Sequence, residues 1–228
     1  MSISIIIPVL NEAGAIAATM RHLNENCSSE NVLEILVVDG GSTDTTCQIA
    51  KDNGARVISS PRGRAAQMNT GAKNAQGDIL YFLHADTAPP KHFDTSIVKA
   101  ISRGHKAGCF QMKFDSDSRF LGFFAWFSRL NIKLCRGGDQ SLFITKTLFK
   151  ALNGFNEDYQ IYEDNEFIGR LYERTRFKIL PQQVKTSARR YEKHGTLTLQ
   201  YHFGIIHLKS RLGAGPEQLY QYYRQHIV

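Results

Sequence analysis

The residues of this chain most able to do chemistry are acids, alone or beside a histidine, at the ends of apolar runs. The clearest stretch is ILYFLHADT (Ile79–Thr87), where an apolar run ends in a histidine, a small spacer and a carboxylate. Bounded by Gly77-Asp78 before and Pro89-Pro90 after, it reads as a strand buried on both faces. In open α/β sheets, ligands sit beyond the carboxyl ends of the strands. His84 and Asp86 then lie where a ligand would be, and Ala85 turns away by the two-residue alternation. That arrangement suits a metal ion or a phosphate. VLEILVVD (Val32–Asp39) also ends in a carboxylate, followed by Gly40-Gly41-Ser42, and the first apolar run closes on Pro8 ahead of Leu10, Asn11 and Glu12. Arg62 and Arg64 flank Gly63 before a helical stretch, and a basic loop feeding a helix N-terminus is an anion site. Glu163-Asp164 opens another helical stretch. A helix dipole favours acids there, and a carboxylate in reach of a hydroxyl can also take its proton.

Alternating elements must position these groups. Strands are expected at Ser4–Val9, Val32–Asp39, Ala55–Ser60 and Ile79–Thr87. Helices are expected to about Asn26, through Lys51 with Ser42, Thr43 or Asp44 as cap, and over Gly63–Ala75. Strands alternating with helices imply crossovers and a mostly parallel sheet, so the three strand ends converge on one edge. The second half is less regular. A strand is expected at Ala107–Phe114, an aromatic-rich helix at Arg119–Cys135, a loop at Arg136–Gln140 and a strand at Ser141–Thr145. A helix over Tyr162–Thr175 turns Phe167, Ile168 and Leu171 inward, short strands at Lys178–Leu180 and Val184–Thr186 close the sheet, and a helical tail follows from Thr196. No repeat or low-complexity linker divides the chain. The expected fold is α/β: one domain over 1–195, a central mostly parallel sheet flanked by helices, with the tail 196–228 packed on it.

The 228 residues carry a net charge of +7 and are 42% hydrophobic, as an ordinary globular protein with a sizeable core. The basic balance asks for anionic company: nucleotide phosphate, nucleic acid or an anionic membrane surface. Cys27, Cys47, Cys109 and Cys135 form no C-x-x-C pair, which fits reduced thiols and a cytoplasmic setting. The apolar start lacks a basic leader and is too short for a signal peptide or a span. The aromatic stretch with Phe120, Phe123, Phe124, Trp126 and Phe127 suits a peripheral membrane contact at an inner membrane face, a core position or a homodimer face. Core or subunit packing is the preferred reading, because the run is dense in Phe and poor in basic residues on one face.

IIIPVLNE, VVDGGSTDTT, NTGAKNAQGDILYFLHADT and YEDNEFIGRL together resemble, in order, the motif series of family 2 glycosyltransferases, which have the GT-A (Rossmann-like) fold. The resemblance covers roughly 2–186 and extends to short stand-alone members, some labelled for arsenosugar biosynthesis. It implies a nucleotide-sugar donor, UDP first, a hydroxyl acceptor, a divalent Mg²⁺ or Mn²⁺, and inversion at the transferred sugar; no nucleic acid is expected. By the same resemblance, Asp39 accepts a hydrogen bond from the base, and Pro8, Leu10, Glu12 and Gly41 line the nucleotide pocket. Arg62, Arg64, Asn69, His84, Ala85, Arg189 and Arg190 complete the nucleotide side, with Asn69 holding its loop. Asp86 takes the last place of the metal motif, with His84 in its first place and His194 as secondary candidates. Asp164, beside Glu163, is the general base, and Gly138, Asp139 and Gln140 face the acceptor. The sequence departs from the family pattern at Gly40, where a second Asp is usual, and at His84.

Three rivals are weaker. A sugar-phosphate nucleotidyltransferase would open with a Gly-rich loop after Ile7, and a dehydrogenase would show G-x-G-x-x-G; neither is written here. A non-catalytic anion- or membrane-binding protein that keeps the fold is the rival from another class. The processive Q-x-x-R-W motif is absent, which favours transfer of a single sugar.

Overall fold

A computed structural model describes residues 1–227; Val228, the last residue of the expected tail, lies outside the described residues. The first apolar run forms β1 (Ile3–Val9), hydrogen-bonded in parallel to β2 (Val32–Asp39) on one side and β4 (Ile79–Phe82) on the other. β3 (Arg56–Ser59) extends the parallel set beyond β2. Past β4 the sheet continues through β7 (Leu142–Thr145), β6 (Ala107–Phe114), β8 (Lys178–Thr186) and the short edge strand β5 (Thr87–Ala88), in the order β3-β2-β1-β4-β7-β6-β8-β5. β7 and β5 run antiparallel to their neighbours, and β6 pairs with β8 in parallel. The expected mostly parallel sheet is therefore present.

The apolar runs are continuous because both sheet faces are covered. Ile3, Ile5 and Ile7 pack on one face with α1 (Ala13–Asn26) and α4 (Phe93–Ser102). Ile6, Leu36 and Val38 pack on the other with α3 (Arg64–Asn74) and α7 (Glu163–Arg174), through Met68, Ala72, Phe167 and Leu171. Each fully buried Ile contributes roughly 1.5–3 kcal/mol. α2 (Thr46–Asp52) crosses from β2 to β3, and α6 (Lys146–Ala151), which the sequence reading missed, starts at Thr145, whose hydroxyl accepts from the Leu148 N–H.

The structure corrects three expectations. ILYFLHADT stays in the central ladder only to Phe82, because its antiparallel neighbour begins opposite it at Leu142. The chain leaves the sheet at His84 and returns as β5 against β8. The expected helix over Arg119–Cys135 ends at Trp126 as α5 (Arg119–Trp126), followed by 3₁₀ turns at Phe127–Arg129 and Lys133–Cys135. The Arg136 guanidinium folds this segment back by donating to the carbonyls of Ser128 (2.7 Å) and Leu130 (2.6 Å). Only Leu121 and Ala125 of α5 are buried, so the core reading fails for Phe123 and Trp126, which are exposed. The two short strands around Pro181 are one strand, β8, with a register shift opposite Phe110/Gln111. Beyond β8 the chain forms α8 (Arg189–His194), and the expected tail forms α9 (Thr196–Arg211) and α10 (Pro216–His226). Leu199, Ile206, Leu219 and Ile227 cluster there against Tyr159, Ile161 and Tyr162, just ahead of α7.

Candidate functional site

Two cavities adjoin at the carboxyl edge of the sheet. The smaller, about 280 Å³, lies over the ends of β1 and β4, where Pro8, Leu10, Glu12, Ala85 and Asp86 line it together with Gln67 of α3. The larger, about 630 Å³, is walled by α5 and its 3₁₀ turns, the start of α7, and α9. Arg64, His84, Asp139, Arg190, Tyr191 and Phe203 line both, so the two spaces meet at one charged junction.

That junction is built from four segments. α7 presents Glu163 and Asp164 in its first turn, entered through Tyr162 at φ +70°. From the start of α3, Arg64 Nη1 reaches Glu163 Oε1 at 3.1 Å and Asp164 Oδ2 at 3.7 Å. His84 Nδ1 lies 3.4 Å from Asp139 Oδ1 and its Nε2 lies 3.9 Å from Asp164 Oδ2. Gly138 lets these groups approach, since a Cβ there would land on the Asp164 carboxylate and lie 2.9 Å from His84 Cε1. Burial opposes the His84 imidazolium, but the hydrogen bond and charge of Asp139, with the charge of Asp164, raise its pKa above the ordinary value. Burial works against the Asp139 carboxylate too, and His84, Arg64 and Arg190 hold its pKa below the ordinary range. Glu163 behaves differently. Burial pushes its pKa up, Arg64 pulls it down and Asp164 raises it again, with a net rise. Both its oxygens are buried without a hydrogen-bond partner among the described residues.

On the smaller cavity, Arg189 Nη2 donates to both Glu12 oxygens at 2.8 and 2.9 Å and lies 3.2 Å from Asp86 Oδ2. Asp86 is one hard oxygen donor facing the cavity, and no cluster of three or more His, Cys, Asp or Glu able to hold a metal occurs among the described residues. One carboxylate nevertheless fits a hard divalent cation that takes its remaining ligands from phosphate and water. Both ring nitrogens of His84 face carboxylates instead, and His194, at the end of α8, lines neither cavity.

Several expected nucleotide-side residues act as supports. Asp39 lines neither cavity; its oxygens accept from the backbone N–H of Ser42 (2.9 Å) and Gly41 (3.2 Å). Burial opposes that charge, but these bonds win and hold its pKa low. Gly41 makes the turn at φ +97°. Asp39 pairs with Val9, a wall of the smaller cavity. Asn69 clamps Phe155 through its N–H and carbonyl, both at 2.9 Å, and so ties α3 to the loop leading to α7. Arg62 is exposed outside both cavities, whereas Gln140, expected on the acceptor side, lines the larger cavity and braces its own loop by donating to the Cys135 carbonyl and accepting from Arg136.

The sequence reading missed Gln67 and Phe203, whereas Tyr191, expected with Arg189, Arg190 and His194 to close over the diphosphate, lines both cavities. The Gln67 side chain donates to the carbonyls of Val9 (2.7 Å) and Val38 (2.8 Å), joining the ends of β1 and β2. A Cβ on residue 40 would lie 3.0 Å from its amide carbon, which explains glycine where the family pattern has Asp. The signal was present: Gln67 is a polar residue four before the packed Gly71, on the inward face of α3. Phe203 lies in a tail with no clean hydrophobic period.

Residues 4–174 match the family model described as Glycosyl transferase family 2, which is most of the chain. The chain belongs to that family. This family 2 glycosyltransferase is 36% identical over 107 residues to glycosyltransferase AglE of Haloferax volcanii, covering 44% of this chain and 35% of AglE. It is 30% identical over 178 residues to a PGL/p-HBAD biosynthesis glycosyltransferase of Mycobacterium bovis, covering 72% and 67% of the two chains. The chain spans 46% of the glycosyltransferase YdaM of Bacillus subtilis, so several of these relatives are much longer. Among solved structures it is similar to the mannosyltransferase PcManGT from Pyrobaculum calidifontis in complex with GDP-Man and Mn²⁺. The TM-score is 0.72 at 17% identity, over 97% of this chain and 69% of that one. TarS of S. aureus in complex with UDP gives a TM-score of 0.66 at 18% identity, over 82% and 60%. The fold is that of the GT-A glycosyltransferases, a single α/β domain with a curled, mostly parallel sheet.

Proposed function

We propose that the protein transfers one sugar from a nucleoside diphosphate donor to an acceptor hydroxyl, with inversion. The observation that carries this is the meeting of two cavities at one junction, Asp86 lining the smaller and Asp164 the larger. The donor lies in the smaller cavity, its diphosphate toward Arg189 and Arg190 and its sugar toward the junction. Uridine is the base assigned, by the family resemblance, with the Asp39 carboxylate beside the Val9 wall of that cavity as the acceptor for its ring N–H. The acceptor enters the larger cavity with its hydroxyl at Asp164. The Asp164 carboxylate takes the hydroxyl proton as the oxygen bonds to the anomeric carbon, and the bond to the diphosphate breaks on the opposite face. His84, held by Asp139, and Arg64, held by Glu163, fix the carboxylate between the two spaces.

Asp86 would hold the Mg²⁺ or Mn²⁺, which supplies positive charge beside the departing diphosphate when bound. A relative named undecaprenyl-phosphate 4-deoxy-4-formamido-L-arabinose transferase and the GDP-Man and UDP complexes above support a nucleotide-sugar donor. The cytoplasm is the compartment we assign, in keeping with four free cysteines.

The test is a panel of nucleotide sugars screened for thermal stabilisation, followed by Asp164→Asn. A bound donor raises the melting temperature by mass action without knowledge of the acceptor. Asp164→Asn is expected to keep that response and lose transfer; wild-type turnover in the variant would overturn the assignment.

A further inference from the structure

The larger cavity has two unlike sides. Its floor is the charged junction, while apolar side chains stand on both walls: Phe124, Phe127 and Leu134 on one, and Phe203, Ile206 and Leu208 on the other, where Gln200, His207 and Arg211 lie among them. The same two walls carry most of the molecule's exposed large hydrophobic residues. Phe123 (59%), Trp126 (48%) and Ile132 (52%) stand out from the α5 side. Leu197 (69%), Tyr201 (64%) and Leu212 (79%) stand out from α9 and its end. Among the described residues, only Met1 and Leu33 of that set lie elsewhere. Exposed apolar side chains gathered round a cavity mark an interaction surface.

Charge narrows the partner. The chain has 21 acidic residues, yet none falls within 119–136 or 196–212. Arg119, Arg129, Lys133 and Arg211 are exposed on those segments. A second copy meeting this face across a two-fold axis would bring cations against cations with no acid to pair them. An anionic bilayer answers both features, taking the aromatic and aliphatic side chains into its interface and pairing the cations with its headgroups. No helix among the described residues is long and apolar enough to cross a membrane, so the contact would be peripheral.

We propose that this face docks on an anionic lipid surface, and that the acceptor is the polar head of a lipid whose chain leaves along the apolar walls. This rests on the reading that Asp164 serves the acceptor side. A cavity floored by a base and walled by Phe, Ile and Leu separates the two halves of an amphiphile: hydroxyl at the junction, chain toward the bilayer.

Trp126 is the chain's single tryptophan, and it reports directly on this face. The full chain is titrated with phosphatidylglycerol vesicles, with phosphatidylcholine vesicles, and with phosphatidylglycerol brominated along the acyl chains. Trp126 emission should shift to the blue with phosphatidylglycerol, respond weakly to phosphatidylcholine, and be quenched by the brominated chains. Phe123→Ser combined with Leu212→Ser should weaken vesicle binding at least about tenfold. Absence of a shift overturns the proposal. So does a shift that grows with protein concentration in the absence of lipid, which means a second copy, or binding without quenching by brominated chains, which means headgroup adsorption only. With cell membranes and a labelled donor, label should enter the organic extract; label in water-soluble product alone overturns the lipid acceptor. Stabilisation by UDP is measured on the same preparation. Stabilisation without vesicle binding removes the docking alone, and vesicle binding without stabilisation by UDP or any nucleotide sugar of the panel removes the transferase reading and with it the lipid acceptor, leaving the docking.

Discussion

The two cavities share a junction but are built on different physical terms. The smaller stands over the ends of β1 and β4, whose positions are fixed by backbone ladders and by Gln67, which ties the end of β1 to that of β2. Its walls are charged and its shape is set by the sheet. The larger is made of loops, 3₁₀ turns and terminal helices held by side chains. Arg136 binds the Ser128 and Leu130 carbonyls, and Asn165 donates to the Arg136 carbonyl at 2.7 Å. The contrast teaches where this protein can change. On the proposed reading, the rigid sheet edge would hold the donor, while loops on a rigid scaffold would set the acceptor.

The largest expected effect severs the two sides at the base. Asp164→Asn should lower transfer by about 10²–10⁴-fold, the usual worth of general-base catalysis, with donor affinity nearly unchanged. Equal loss of donor binding would show that the cavities are not separable. Gly138→Ala attacks the same junction from the loop side. Its methyl group would displace the Asp164 carboxylate and crowd His84. Transfer should fall on the order of 10²-fold through misplacement, and stability by about 1–3 kcal/mol from overpacking. Unchanged kinetics would mean that Asp164 is free to reposition.

A third experiment sharpens the donor side alone. Asp86→Asn should weaken nucleoside diphosphate binding by at least about tenfold, or 1.4 kcal/mol. Chelation by EDTA should bring the wild type to the variant's affinity and leave the variant where it is. Calorimetry reads both, and equal wild-type affinities with and without EDTA would remove Asp86 from the cation role.

The same contrast governs what the sequence discloses. Parallel strands buried on both faces are written as unbroken apolar runs, so Val32–Asp39 and Ala107–Phe114 match β2 and β6 end to end. Asp86 could be nominated because it follows such a strand, and Asp164 because it opens a helix with an acid pair in a recognisable motif series. The break in α5 was not legible, because it depends on Arg136 reaching back to carbonyls several residues earlier, and hydrophobic spacing carries no trace of that bond. Core packing was half of the expectation for Phe123 and Trp126, and it fails because aromatic density alone does not tell a buried face from an exposed one. Glycine at 40 was legible only as a departure; its cause, the Gln67 amide above it, lies 27 positions away in sequence. Arg189 and Arg190 could be nominated, but the pairing of Arg189 with both Glu12 and Asp86 is a tertiary fact.

The smallest expected effect tests the junction through pH. Glu163 is buried with no hydrogen bond to either oxygen among the described residues, and its ion partner Arg64 has a side chain 43% exposed, so solvent weakens that pairing. Burial, the largest influence, therefore leaves its pKa above the ordinary 4.5. A raised carboxyl pKa means that the native state holds the proton more tightly than the unfolded chain. The resulting stabilisation is full below the unfolded value and is lost as pH rises through the folded one. Glu163→Gln keeps the shape and removes the titration. The variant's melting temperature minus that of the wild type should increase as pH rises from 4.5 toward neutrality, by about 2–4 °C per kcal/mol for a chain of this size. A difference that stays flat or shrinks would mean that Arg64 outweighs burial. The junction would then be a closed ion pair in the free protein, which an incoming donor must open before Asp164 can act.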